Sequence, residues 1–393
     1  MLVFAGVAGA GDDGRALPNA PVVDADPFFV TTAPPLPSGP GQWNLRQIHG
    51  SEAHAITGGS PEVVVGVIDT GIDYTHPDLA GRISFEDSVS CLGGHRDRDP
   101  AAWRDDAGHG THNAGMIAAG ANGIGVVGVA PSVKLAAIKV VEPSGLITPE
   151  AVECAFKWAA ARKIDVANNS YTVDVGPVVT NPANPLDLFC RTDPDQRRAW
   201  DEVAEAVAHA MEKGVSVVAS AGNSNADVTA AGGSDCIRLP SGLPGVITVA
   251  GTGTVNEKGA YSNYGAGFVD ISAPGGNVPP APPAGFILST WPSACSTCPE
   301  DPGDGQPAYY RYMAGTSSAA AEVSGVAALV VSLYGDSKSP GNGKMSPEDV
   351  SDILLSTAHP LACPAAPTPC TGSPGANSFF GHGLVDALAA LGG

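Results

Sequence analysis

Residues 62–68 read EVVVGVI, a short and almost uninterrupted apolar run. Runs of this length, rich in β-branched residues, predict a strand covered on both faces. The pattern recurs at 133–141, 164–167, 215–219 and 246–250. Between these runs the apolar positions change to helical spacing. In 149–162, Val152, Ala155, Phe156 and Ala159 share one face. Residues 200–213 predict a second helix and 318–334 a long, largely apolar and therefore buried one. Segments 347–358 and 384–391 predict C-terminal helices. Strands alternating with helices imply an α/β domain in three layers, a mainly parallel sheet with helices on both faces.

Stretches rich in Pro or Gly at 173–196, 275–285 and 295–307 read as surface loops inside one domain. Residues 1–42 read as an N-terminal extension and 43–393 as the domain. Within the extension, 2–10 are small and apolar, as in the tail of a signal sequence or in an irregular terminus. Residues from 11 to about 42 form a Pro-rich arm, which Phe28, Phe29 and Val30 would anchor near Trp43 and Ile48.

Charge excludes some functions. The chain has 393 residues, 40 acidic against 20 basic, for a net charge of −20. Phosphate-backbone binding needs clustered Lys and Arg, so a nucleic-acid partner is not expected. No apolar stretch approaches the roughly 20 residues of a membrane span, so no membrane partner is expected either. The eight cysteines are Cys91, Cys154, Cys190, Cys236, Cys295, Cys298, Cys363 and Cys370. Cys295 and Cys298 could hold metal, but the spacing of Cys363 and Cys370 does not complete a zinc ribbon. Disulfides in an exported protein are the better reading. Nearness in sequence pairs Cys295 with Cys298 and Cys363 with Cys370.

Three segments carry chemistry. In VIDTGIDYTHPDL (67–79), Asp69 ends the first strand run. Ligand and catalytic groups gather at the carboxyl ends of parallel strands, although an Asp there can also cap a turn. In GHGTHNAGMIAA (108–119), His109 opens an apolar helix. His109 and His112 stand three apart but lack the intervening Glu of a metalloprotease helix. In MAGTSSAAAEVSGVAALVV (313–331), Ser317 lies in the first turn of the buried helix. A serine there can serve as a cap, but the unpaired N–H groups of a helix start can also bind a developing oxyanion.

In the order Asp, His, Ser, these segments resemble the subtilisin-like serine proteases, over roughly 43–391. The resemblance implies a secreted, monomeric endopeptidase with peptide or protein substrates and no cofactor in catalysis. Asp69 would orient His109, His109 would act as base, and Ser317 as nucleophile. Asn223, in SVVASAGNS (216–224), would stabilise the oxyanion with the Ser317 N–H. Ser170, Tyr171, Thr172 and Gly222 would line the substrate, which pairs through its backbone. Two alternatives remain on the same residues: a peptide ligase or transpeptidase, and a non-catalytic peptide-binding protein.

The resemblance also implies a structural calcium site from Asp78, Asn122 and the carbonyls of Ile124 and Val126, with Gln42 as a further donor. Likeness to secreted relatives pairs Cys91 with Cys154 and Cys190 with Cys236. Arg238 falls near the floor of the specificity pocket, which opens that pocket to acidic residues. Four positions depart from the family pattern. Thr172 replaces a glycine, Asn113 an apolar residue, Ala321 a proline and Glu322 a histidine.

Overall fold

The computed structural model describes residues 26, 41–176, 186–233, 235–277, 285–292, 309–335, 345–365 and 368–393. Most of the N-terminal extension, including Phe28 to Val30, lies outside these residues, as do Cys295 and Cys298.

Along the chain the first elements are α1 (Trp43–Gln47), α2 (Gly50–His54), β1 (Val64–Asp69), β2 (Val89–Ser90), α3 (Pro100–Trp103) and α4 (His109–Ala118). Then come β3 (Lys134–Lys139), α5 (Pro149–Arg162), β4 (Val166–Asn169), β5 (Leu188–Cys190), α6 (Pro194–Glu212) and β6 (Ser216–Ser220). They are followed by α7 (Val228–Gly232), β7 (Cys236–Arg238), β8 (Ile247–Thr252), β9 (Ile271–Pro274), β10 (Ile287–Thr290) and β11 (Tyr310–Met313). The last helices are α8 (Thr316–Tyr334), α9 (Pro347–Thr357) and α10 (Ala387–Ala390).

Seven strands form one sheet in the order β2-β3-β1-β4-β6-β8-β9, and every pairing in it is parallel. The expected three-layer α/β architecture is therefore present. Alternate residues of β1 serve different cores. Val65 and Val67 join the cluster under α4 and α8, whereas Ile68 joins the one under α5 and α6. Covering both faces is what allows such continuous apolar runs.

Helix starts follow local chemistry. Thr148, Asp193 and Ser346 each accept a backbone N–H of the following turn, and a proline occupies the first turn of α5, α6 and α9. The Asp193 cap starts α6 six residues before the expected 200, and its exposed polar first turns hid it from the apolar pattern. The expected helix at 384–391 shrinks to α10. Leu384 and Val385 instead donate to the His359 and Ser272 carbonyls, so extended pairing prevails until Asp386 caps the helix. Contrary to the expectation that no apolar stretch approaches the length of a span, α8 is long and apolar enough to cross a membrane, but 83% of its apolar window is buried inside the domain. It is the core helix that the sequence implied.

Disulfides join Cys91 to Cys154, Cys190 to Cys236 and Cys363 to Cys370. These are three of the four expected pairs.

Candidate active site

Asp69 is 1% exposed at the carboxyl end of β1. One of its oxygens, Oδ1, accepts the Thr70 N–H at 2.7 Å. His109 begins α4, and its Nδ1 lies 2.8 Å from Asp69 Oδ1 and 3.0 Å from Oδ2. Gly110 permits this approach, because a Cβ there would fall 2.1 Å from the Gly71 carbonyl oxygen. Asp105 fixes the helix start from below. It accepts the Gly108 N–H and the Thr70 hydroxyl on Oδ1, and the Thr111 N–H on Oδ2. Asp105 is not among the residues expected from the sequence, although an acid just before a glycine turn and a helix is a recognisable cap.

Burial acts downward on the His109 imidazolium, but the charge and hydrogen bond of Asp69, with Asp105 behind, outweigh it and hold the pKa above its ordinary value. The neighbouring His112 behaves in the opposite way. Burial pushes it down to about 3, and its Nε2 lies 3.0 Å from the Arg311 carbonyl. Its ring is engaged with that carbonyl, and no group of three or more His, Cys, Asp or Glu among the described residues could hold a metal ion, so the two-histidine metal reading has no support.

Ser317 sits in the first turn of α8, and its hydroxyl donates to the Ser170 carbonyl at 3.1 Å. Asn223 follows β6. Its Oδ1 accepts both the N–H and the hydroxyl of Thr316 at 2.9 Å. A Cβ on Gly315 would lie 3.4 Å from Asn223 Nδ2 and 3.8 Å from the Ser317 nitrogen, so both donors border the same small space. Asn263 supports this loop by accepting the Ser224 and Ala226 N–H groups and donating to the Ala221 carbonyl.

One cleft of about 380 Å³ is lined by Asp69, His109, Ser317 and Asn223 together with Ser170, Tyr171, Thr172 and Gly222. The Tyr171 hydroxyl donates to Asn169 Oδ1 at 3.0 Å, and the Thr172 hydroxyl donates to the Leu239 carbonyl at 3.2 Å. Asp174, Asp187 and Arg238 also line it. The Arg238 guanidinium packs against Gly222 and donates to the Leu186 carbonyl at 2.9 Å. Burial lowers its pKa to about 10, against the pull of Asp187 and Asp174. A larger cavity of about 470 Å³, beside Trp200 and Cys236, shares only Arg238 with the cleft and none of its other polar groups.

A profile of the Subtilase family (peptidase S8) matches residues 60–383. The chain belongs to the subtilase family. This subtilase is 32% identical over 350 residues to subtilisin Savinase of Lederbergia lenta, covering 88% of this chain and 97% of that one. It is 32% identical over 375 residues to M-protease of Shouchella clausii (strain KSM-K16), covering 95% and 74%. A crystal structure of a lanthipeptide protease superposes with a TM-score of 0.68 at 25% identity, over 89% of this chain and 93% of that one. The subtilase is thus a serine endopeptidase that acts on peptide or protein substrates.

Away from the cleft, the residues expected around calcium converge in part. Asp78 Oδ2 accepts the Val126 N–H at 2.9 Å and the Tyr310 hydroxyl at 3.1 Å, while Oδ1 has no partner among the described residues. Burial pushes the Asp78 pKa up to about 7 despite these bonds and a further one from Asn122, and the charge of Asp26 adds to the rise. Asp26 accepts the Asn122 and Gly123 N–H groups on Oδ1, and its Oδ2 likewise has no partner. Asn122 Oδ1 accepts the Ile124 N–H at 3.1 Å. Gln42 is engaged elsewhere, with both ends of its amide bonded to the Val127 backbone. Two buried, half-satisfied carboxylates from different segments, both meeting the 122–126 loop, fit the oxygen-rich donor set of a hard cation. Asp26 could not be singled out as one acid within a Pro-rich arm.

Proposed function

We propose that this subtilase is a secreted endopeptidase that cleaves peptide bonds through an acyl-enzyme on Ser317. The observation that carries the reading is the 2.8 Å contact of His109 Nδ1 with buried Asp69, in a cleft shared with Ser317 and Asn223. The Ser317 hydroxyl leaves the Ser170 carbonyl and turns to His109. His109 Nε2 takes its proton as Oγ attacks the scissile carbonyl carbon, and Asp69 stabilises the resulting imidazolium. The Asn223 amide and the Ser317 N–H donate to the oxyanion. His109 then protonates the leaving amine, and water repeats the sequence on the acyl group. An extended substrate would lie along Ser170 to Thr172. Because the neutral imidazole is the base, activity rises with pH through a value above the ordinary 6.5 of histidine.

Three disulfides support an oxidising, extracellular setting. Calcium, held by Asp78, Asn122 and Asp26 with backbone oxygens at Ile124 and Val126, would tie the segment after β1 to the loop after α4. Its contribution would be stability, with no part in bond cleavage.

The test is labelling by a peptidyl organophosphonate followed by peptide mapping. The adduct should fall on Ser317, and Ser317→Ala should abolish both labelling and peptide hydrolysis. A folded protein that resists the reagent, or a Ser317→Ala variant with near-normal turnover, would refute the reading.

A further inference from the structure

Asn113 stands one helical turn beyond His109 on α4, so the two side chains share a face. It is 1% exposed. Its Nδ2 donates to Asp69 Oδ2 at 3.0 Å and lies 3.4 Å from His109 Nδ1. The second contact joins two N–H groups that both point at the carboxylate. The opposite amide orientation would set the Asn113 carbonyl oxygen against the carboxylate, so charge fixes the assignment.

Asp69 therefore meets three donors. Oδ1 takes the Thr70 N–H, both oxygens lie within reach of His109 Nδ1, and Oδ2 also takes the Asn113 amide. An apolar residue at 113 could not make the last bond.

Resting on the proposed roles of Asp69 and His109, we propose that Asn113 is a positioning residue that acts through Asp69. It holds the outer carboxylate oxygen and draws off part of the negative charge that faces His109. The first effect fixes the plane in which the imidazole is held. The second makes His109 a weaker base than the same pair without the amide, so the neutral imidazole persists to lower pH. Asn113 thus moderates the rise that Asp69 and Asp105 impose on His109.

Among the described residues, few other titratable groups face this pair. Asp69 comes from β1, Asp105 from the loop before α4, and His112 from α4 itself. Tyr171, after β4, faces Asp69, and Arg311 on β11 faces His112. Burial pushes the His112 pKa down to about 3 and holds the Tyr171 hydroxyl well above its ordinary range. Neither changes charge where His109 does.

The experiment compares the wild type with Asn113→Val and Asn113→Asp. The acid limb of kcat/KM reports the free enzyme's base. It should move up by roughly half to one pH unit in Asn113→Val, where the donor is lost, and further in Asn113→Asp, where a second negative charge replaces it. As a readout independent of turnover, the His109 imidazole is titrated by NMR in a Ser317→Ala background, with and without each substitution. The same order of pKa values is expected there. If kcat falls while the kinetic limb and the NMR titration both stay in place, Asn113 only packs the helix and the proposal is wrong. If the titrations shift as stated but the kinetic limb does not follow, the moderating role of Asn113 stands and the assignment of His109 as base fails.

Discussion

Replacing Glu322 by glutamine should stabilise the protein in alkali and change it little in acid. Glu322 lies on α8 and is fully buried. Its Oε1 accepts the Asn44 amide at 2.5 Å, and its Oε2 has no partner among the described residues. Burial raises the pKa from 4.5 to about 8, with the Asn44 bond offsetting part of the rise. A carboxyl that protonates more readily in the folded state than in the unfolded chain loses stability as pH climbs between those values. The contribution of Glu322 is therefore most favourable below about pH 4.5, declines through neutrality and levels off above about pH 8. At about 1.4 kcal/mol per pH unit, the full span corresponds to roughly 5 kcal/mol, an upper figure because water entry and local relaxation soften the cost of a buried charge. Glutamine accepts from Asn44 with its carbonyl and never ionises. The assay is denaturant unfolding of Ser317→Ala and Ser317→Ala/Glu322→Gln from pH 5 to 10, in which the remaining titrations cancel in the difference. The gap should be small at pH 5 and grow to several kcal/mol by pH 9. A gap that is the same at every pH would refute the reasoning.

Three further outcomes are expected. Asn223→Ala should lower kcat by about 10²–10³ with a smaller change in KM, as steady-state kinetics would show. Chelation should lower the melting temperature of the Ser317→Ala protein, and Asp78→Asn or Asp26→Asn should shrink the calcium-induced rise, read from melting curves with and without millimolar calcium. Arg238→Gln removes the one Arg or Lys side chain among the described residues that line the cleft, beside Asp174 and Asp187. In matched peptides, kcat/KM for a lysine before the scissile bond should then rise relative to glutamate by about tenfold, the equivalent of about 1.4 kcal/mol; an unchanged ratio would place Arg238 outside the specificity pocket.

The central strands were legible because burial on both faces leaves long apolar runs, as in 62–68 and 215–219. Strand β9 was not, because Ile271–Pro274 is short and ends in proline. The same brevity hid β10 and β11. Asp69, His109 and Ser317 were legible because each stands in a distinctive short segment and the three occur in a telling order. Their supports were harder to read. Asp105 holds N–H groups only three and six residues ahead, a cap legible in principle, whereas Asn263 holds N–H groups 39 and 37 residues away that only folding brings to it. Asn113 was visible only as a departure, since its meaning depends on the distance to a side chain 44 positions away.

The Cys190–Cys236 bridge staples β5 to β7, a two-stranded ribbon separate from the seven-stranded sheet. Arg238 ends that ribbon, and Leu186, just before it, accepts the guanidinium hydrogen bond. The reacting groups are mounted on the sheet and on α4 and α8, whereas this wall of the cleft hangs on a clip of its own. On the reading that Arg238 sets side-chain preference, that part of recognition and the chemistry sit on separate mounts. An engineer could exchange the clip as a cassette, cysteines included, and a lineage could change what it cuts without relearning how to cut.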